Sequence, residues 1–183
     1  TKNSSIKINN DFNYKFFNNN IKKYKNNIIK YNHNLYKNFK FIIKEYQKIS
    51  NNKLPKGLIH GDLFPDNVLF YKGKISGFID FYYSCNNYLI NDLAIVIISW
   101  CFNKSSKYLK LNINKIKKIY KGYIKHRIIT IKELEVLSII CKIYCIRFYF
   151  TRLIDMNKNY DLTYTQIKNP HEYLDKFLYL EQN

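Results

Sequence analysis

The chain is poor in the residues that let a backbone turn sharply and in the cation with a forked head. Among 183 residues there are five glycines, three prolines, one tryptophan, one methionine and three arginines. All five glycines, Gly57, Gly61, Gly73, Gly77 and Gly122, lie at or beyond position 57. A G-x-G-x-x-G phosphate cradle needs glycine for its tight turn and for close backbone approach to the phosphate, so residues 1–56 hold none. The four cysteines, Cys85, Cys101, Cys141 and Cys145, form no C-x-x-C and lack paired histidine spacing, which excludes the common zinc patterns and leaves reduced, small apolar residues. Long hydrophobic runs are missing too. Leu93–Ile98 is the longest unbroken one, and the stretch from Val136 to Phe150 is interrupted by Lys142 and Arg147, well short of what a membrane span requires. With no signal-peptide pattern, the expectation is a cytoplasmic protein with no membrane partner. The first residue is Thr rather than Met, so the chain reads as processed or incomplete.

Acidic residues are scarce as well: 13 Asp and Glu stand against 31 Lys and Arg, a formal charge of +18. Such a balance raises nucleic-acid binding as a class. The heavy use of Lys, Asn, Ile and Tyr, with little Gly, Pro or Arg, is instead what an A+T-rich coding sequence produces. No basic cluster interleaved with aromatics forms a recognisable binding module, so nucleic acid is not the expected partner. Against a lysine background the arginines carry information, because a guanidinium holds a carboxylate or phosphate bidentately where an ammonium does not. Arg147 and Arg152 read either as such a clamp or as residues flanking a helix, and Arg127 as surface.

Taken in order, residues 1–20 are an Asn-rich connector with an apolar patch at Phe12, Tyr14, Phe16 and Phe17. From Ile21 to Ser50 the apolar positions recur at helical spacing, which predicts one long helix or two consecutive ones, ended by Asn51 through Gly57. Beyond Asp80 a polar and aromatic loop runs over 81–88. Asn91 or Asp92 then opens an apolar helix reaching Phe102. Further helices are expected over about 114–126, over 130–156 with the capping box Thr130-x-x-Glu133, and near 170–181 with Asn169 as cap and Pro170 at the first position. His33, His126 and His171 have helical or cap contexts.

The chain is organised around residues 57–80. Gly57-Leu58-Ile59 and Val68-Leu69-Phe70 read as short buried strands bracketing His60-Gly61-Asp62-Leu63-Phe64-Pro65-Asp66-Asn67. After the turn Tyr71-Lys72-Gly73-Lys74, a third run from Ile75 to Ile79 delivers Asp80. Asp62, Asn67 and Asp80 therefore converge on one mouth. A hydroxyl attacking the terminal phosphate of a nucleotide needs a carboxylate to orient it and take its proton, a role for Asp62. Magnesium prefers hard oxygens, and Asn67 and Asp80 supply an amide carbonyl and a carboxylate while leaving positions for phosphate and water. The spacing H-x-D-x-x-x-x-N followed by a strand-terminal Asp is the lower half of a kinase site. His60 holds the loop's shape, and Asp92 caps the following helix or braces the loop.

The motifs Gly57-Leu-Ile-His-Gly-Asp-Leu-Phe-Pro-Asp-Asn-Val-Leu-Phe70, Gly77-Phe-Ile-Asp-Phe-Tyr82 and Asn91-Asp-Leu-Ala94 resemble the aminoglycoside phosphotransferase and choline kinase superfamily. Within it, Ile79-Asp-Phe-Tyr-x-x-Cys-Asn86, Asp92-Leu-Ala through Trp100-Cys101, and Arg147-Phe-Tyr-Phe-Thr-Arg-Leu153 are most similar to the homoserine kinases. The resemblance implies an α+β, protein-kinase-like C-terminal lobe, mostly helical around a small catalytic hairpin, with the N-terminal nucleotide-binding lobe absent. One lobe would fill residues 1–183: connector and helices over 1–56, catalytic loop and metal hairpin over 57–80, and a helical substrate side over 81–183. It further implies ATP and Mg²⁺ as cofactors, L-homoserine as acceptor on the way to threonine, Asp62 as base, Asn67 and Asp80 as metal ligands, and His60 and Asp92 as loop support. The zwitterionic acceptor would meet Arg147 or Arg152 through its carboxylate, with Tyr82, Asn86 or Asn87 nearby. A choline or aminoglycoside kinase, and a non-catalytic basic binding fragment, are the alternatives.

Overall fold

A computed structural model describes residues 8–49, 53–104, 109–158 and 168–183. Two compact units divide the chain: residues 1–11 with 52–141, and residues 12–51 with 142–183.

The first unit carries the 57–80 region. Strand β1 (Lys56–Ile59) is followed by a 3₁₀ turn at Pro65–Asn67, strands β2 (Val68–Tyr71) and β3 (Lys74–Phe78), and a second 3₁₀ turn at Phe81–Tyr83. The β2–β3 connection places Lys72 and Gly73 both at positive φ, 47° and 75°, the geometry of a two-residue turn whose twist matches that of the flanking strands. Pairing slips at Leu69/Phe70. β3 does not extend the sheet of β1. That partner is β4 (Cys85–Tyr88), antiparallel to β1 with Ile59 opposite Cys85 and Lys56 opposite Tyr88. The 81–88 segment expected as a loop is thus half strand. Its Cys-Asn-Asn-Tyr sequence lacks the apolar alternation that announces a strand, and pairing with β1 supplies what propensity does not.

Helix α4 (Ile90–Trp100) follows at once and buries Ile90, Leu93, Ala94, Ile95, Ile97 and Ile98. It stops at Cys101 rather than reaching Phe102, because Phe102–Lys104 (β5) pairs with Leu109–Leu111 (β6) in a second hairpin. Asn112 then caps α5 (Ile113–Ile124), its side chain accepting from the Lys115 N–H at 3.0 Å. Helix α6 (Ile131–Met156) contributes its residues through Cys141 to this unit. It opens on the expected capping box: the Glu133 N–H donates to Thr130 Oγ1 (3.2 Å) and the Thr130 N–H to Glu133 Oε2 (2.9 Å).

In the second unit the one long helix or two consecutive helices expected over 21–50 are three: α1 (Tyr14–Lys23), α2 (Lys25–Tyr31) and α3 (Leu35–Ile49). Asparagine accounts for both surprises. Asn13 caps α1 by accepting from the Lys15 and Phe16 N–H groups (2.9 and 3.2 Å), so helix begins inside the predicted connector. Asn32 leaves the helical region (φ −156°, ψ 125°) and accepts from the Asn34 N–H at 3.0 Å, offering the backbone a local bond that competes with the helical one. The remainder of that connector (1–7) and Ser50, Asn51 and Asn52 lie outside the described residues. The core gathers Phe17, Ile21, Ile28, Leu35, Phe39, Ile42, Phe150 and Phe177, with the Phe39 and Phe177 rings edge to face at 4.8 Å. Helix α7 (His171–Gln182) closes the chain. It starts one residue later than expected, the Asn169 side chain accepting from the His171 N–H at 2.9 Å.

Candidate active site

The loop between β1 and β2 is fixed at both ends by α4. Asp92, in the first turn of that helix, accepts from the His60 N–H through Oδ2 (2.8 Å) and from the Gly61 N–H through Oδ1 (2.9 Å). Two turns on, the Leu63 carbonyl accepts from Trp100 Nε1–H at 2.9 Å, with Ser99 Oγ at 3.3 Å. Asp92 therefore braces the loop in addition to sitting at a helix N-terminus. Gly61 adopts φ +78°, and a Cβ there would stand 2.5 Å from the Tyr83 carbonyl oxygen. Only glycine fits both the backbone angle and the space.

His60 is buried and takes three roles at once. Its Nδ1 accepts from the Asp62 N–H (3.3 Å), which leaves the ring proton on Nε2 to donate to the Ile79 carbonyl (3.0 Å). Its ring packs on Phe81 with centroids 4.6 Å apart. The imidazole thus ties the residue beside Asp80 to the backbone of Asp62, as a brace and not a proton shuttle. Asn67, also buried, donates through Nδ2 to the Asp62 carbonyl (2.7 Å) and to Asp62 Oδ2 (3.3 Å). Its own carbonyl accepts from the Ile79 N–H at 3.1 Å. Asp62 and Asn67 are therefore brought into contact, with the Asn67 amide oxygen turned away from that pairing. Asp80, exposed at the end of β3, holds the left-handed conformation (φ 61°, ψ 65°), and its Oδ1 accepts from the Tyr82 N–H at 3.4 Å. A non-glycine residue held there stores strain of the order of 1 kcal/mol or more, which the hairpin and the Ile79 bonds sustain.

Among the described residues no three His, Cys, Asp or Glu side chains gather as a metal cage. The donor set here is of a different kind. One carboxylate and one amide oxygen suit a magnesium ion that keeps most of its shell for phosphates and water. Beside the loop lies a cavity of about 600 Å³ lined by His60, Leu63, Phe78, Phe81, Asp92 and Arg127 among others. Arg127, expected at the surface, is half-buried and pairs with the fully buried Glu133 carboxylate.

The residues expected to meet an acceptor are placed as follows. Tyr82 is exposed. Asn86 bonds the Ile8 backbone in both directions, its Oδ1 accepting from the Ile8 N–H (2.8 Å) and its N–H donating to the Ile8 carbonyl (2.9 Å). Asn87 is buried, its Oδ1 accepting from the Tyr88 N–H at 2.8 Å. In the second unit Arg147 is 2% exposed, its guanidinium 3.8 Å from the Phe12 ring centroid and 4.8 Å from that of Phe148, a stacked cation–π arrangement. Arg152 Nη1 donates to Glu172 Oε2 (2.8 Å) and to the Asn169 carbonyl (2.7 Å). Sequence reasoning missed Trp100 and Ser99 at the loop. The sole tryptophan of the chain was the available signal. The four cysteines are buried and joined in no disulfide, and no described helix is long and apolar enough to cross a membrane.

Residues 34–114 match the model of the phosphotransferase enzyme family. Over 123 residues the chain is 43% identical to the homoserine kinases of Sinorhizobium medicae and Rhizobium meliloti, covering 67% of this chain and 37% of each relative. Over 129 residues it is 40% identical to the homoserine kinase of Chelativorans, covering 70% of this chain and 39% of that one. The matched segment thus spans less than two-fifths of the length of these relatives. The braced loop carrying Asp62 and Asn67 beside Asp80 thus lies in the part of the chain that is similar both to the phosphotransferase enzyme family and to homoserine kinases.

Proposed function

We propose that the chain is the catalytic-loop portion of a cytoplasmic kinase that transfers the terminal phosphate of ATP to the side-chain hydroxyl of L-homoserine, a step toward threonine. The observation that carries this reading is the Asp62–Asn67 pair. Asn67 directs its Nδ2 protons to the Asp62 carbonyl and carboxylate, which leaves its own Oδ1 for a cation and fixes the Asp62 carboxylate beside it. Asp62 orients the acceptor hydroxyl and takes its proton as the new P–O bond forms. Asn67 and Asp80 would hold Mg²⁺, which would neutralise charge on the transferring phosphate. His60 and Asp92 keep the loop in register with Asp80.

Tyr82, exposed two residues past Asp80, is the contact this unit offers to an acceptor. Arg152 already serves Glu172 and Asn169, Asn86 serves Ile8, and Arg147 is buried against Phe12 and Phe148. Exposed Leu69, Phe70, Ile75, Phe78 and Phe81 line the hairpin around Asn67 and Asp80. A patch of that kind marks an interaction surface, and it supports a nucleotide-binding lobe, with the glycine cradle absent upstream of Gly57, as its cover.

The test is a phosphoryl-transfer assay on the chain together with such a lobe, taking homoserine, choline and an aminoglycoside as acceptors. Homoserine should be phosphorylated, and Asp62→Asn should lower kcat by about 10³-fold or more. Turnover of choline or the aminoglycoside in preference to homoserine overturns the substrate. Full activity in Asp62→Asn overturns the mechanism.

A further inference from the structure

Nothing above gives Trp100 a part in the reaction, yet it touches both halves of the site. Its Nε1–H donates to the Leu63 carbonyl at 2.9 Å, one residue beyond Asp62. Its ring meets Phe70 of β2, centroids 6.3 Å apart and planes at 60°. Val96 and Trp100 on α4 also line a small apolar hollow with Leu63, Val68, Phe70 and Phe78. The indole therefore spans from the loop bearing the base to the strand that leaves Asn67.

The neighbouring donor does not duplicate it. Ser99 Oγ lies 3.3 Å from the Leu63 carbonyl but 2.6 Å from the Ile95 carbonyl. A hydroxyl has one proton to give, and the shorter contact takes it, in the back-bonding common to helical serine. The Leu63 carbonyl then depends on the indole. Asp92 pins the loop to α4 on the His60–Gly61 side, and the indole is the second tie to that helix, on the other side of Asp62. Within the loop Asn67 holds the Asp62 carbonyl and carboxylate, and the indole ties that arrangement to α4.

We propose that Trp100 is a positioning residue, holding the Leu63 carbonyl so that the Asp62 carboxylate keeps its aim. The catalytic consequence rests on the proposed kinase function, but the structural one does not. As the only tryptophan, it gives a single indole N–H resonance and a single emission spectrum, so its environment can be followed without labelling.

The experiment compares the native chain with Trp100→Phe, which keeps the ring against Phe70 and removes the donor, and with Ser99→Ala as control. Amide hydrogen exchange by mass spectrometry should show residues 62–67 of Trp100→Phe exchanging at least tenfold faster, with α4 and α7 unchanged and Ser99→Ala like the native chain. In the transfer assay, kcat should fall about tenfold, the effect of one lost neutral hydrogen bond felt in the transition state. KM for the nucleotide should stay within twofold, a split that mere loss of stability does not produce. Unchanged loop exchange, or a matched change in α4, overturns the proposal. If the native chain transfers no phosphate, the kinase reading fails while the exchange comparison still decides this one. Should Trp100→Phe lose helix by circular dichroism, the native indole N–H carries the test by NMR. Protection of at least a hundredfold over free indole is expected, and exchange at the free rate refutes the bond.

Discussion

Asp92→Asn is the sharpest perturbation the site allows, because it changes one atom and keeps the shape. In the native protein both carboxylate oxygens accept backbone protons, from His60 at 2.8 Å and Gly61 at 2.9 Å. The amide can accept only once. Whichever loop N–H then faces the new NH₂ loses its acceptor and meets a donor. The lost bond was charge-assisted, contributing about 1.5–3 kcal/mol, and the surviving one falls to the strength of a neutral bond, roughly half as much. The carboxylate's favourable place at the N-terminus of α4 adds about 0.3–1 kcal/mol that also disappears. The sum is about 2.5–5.5 kcal/mol, which for a chain of this length lowers Tm by roughly 5–20 °C. Thermal unfolding followed by circular dichroism gives the total. Amide exchange at His60 and Gly61 localises it, and both should exchange faster than neighbours in β1. A Tm shift below about 1 °C together with unaltered exchange at these two amides would refute the brace, and with it the account of how Asp62 is positioned.

Gly61→Ala should be worse for function than for folding of the rest of the molecule. The left-handed φ and the 2.5 Å approach to the Tyr83 carbonyl force a local shift costing about 1–2 kcal/mol or more, read as loss of phosphoryl transfer with the second unit's melting unchanged. Acid should act mainly on that second unit. Burial alone would push the Glu172 carboxyl up, but Lys176 at 2.6 Å and Arg152 at 2.8 Å bring it down to about 2. A carboxyl lowered on folding gives stability that is complete above its ordinary value near 4.5 and fades as pH falls toward 2. Discounted for partial exposure, Glu172→Gln should remove on the order of 1–2 kcal/mol of the stability difference between pH 6 and pH 2.5, measured by urea unfolding at each pH. The same acid sensitivity in the variant would sink the attribution. Burial raises the Cys101 thiol to about 11 and the Cys141 thiol to about 12, so neither should react with a thiol reagent at pH 8 until the chain unfolds, and prompt native labelling would contradict their placement.

What could be read from the sequence was what depends on neighbours in the chain. The Thr130–Glu133 box, the positive-φ turn at Lys72-Gly73 and the apolar run of α4 are local, and each formed as its residues dictate. The polar triad was legible for a related reason. Asp62 and Asn67 are five residues apart on one loop, and a two-residue hairpin returns the chain to it, so spacing alone brings Asn67 against Asp62 and Ile79, the neighbour of Asp80, onto the Asn67 carbonyl. Asparagine defeated the same logic elsewhere. Its side chain mimics the backbone acceptor, and so Asn13 started a helix where composition read as connector, and Asn32 ended one inside an unbroken apolar period. The period reports which face is buried and is silent on where a cap interrupts it.

The rest was hidden because it is a matter of pairing across sequence distance. Nothing in Cys85-Asn86-Asn87-Tyr88 predicts a strand until β1 is alongside, and nothing in Trp100 announces an indole bond to Leu63, 37 residues earlier. These contacts share one feature. Asp92 and Trp100 are eight residues apart, about two helical turns, so one side of α4 presents both to the loop. A helix buried almost all round has little freedom to rotate, and its polar residues can be aimed with precision. The apolar character of α4, which reads as core, is therefore also the reason the loop is held. Packing fixes the helix, the helix fixes Asp92 and Trp100, and those two fix the segment that carries Asp62. Loosening the core of α4 should accordingly blunt catalysis before it unfolds the chain.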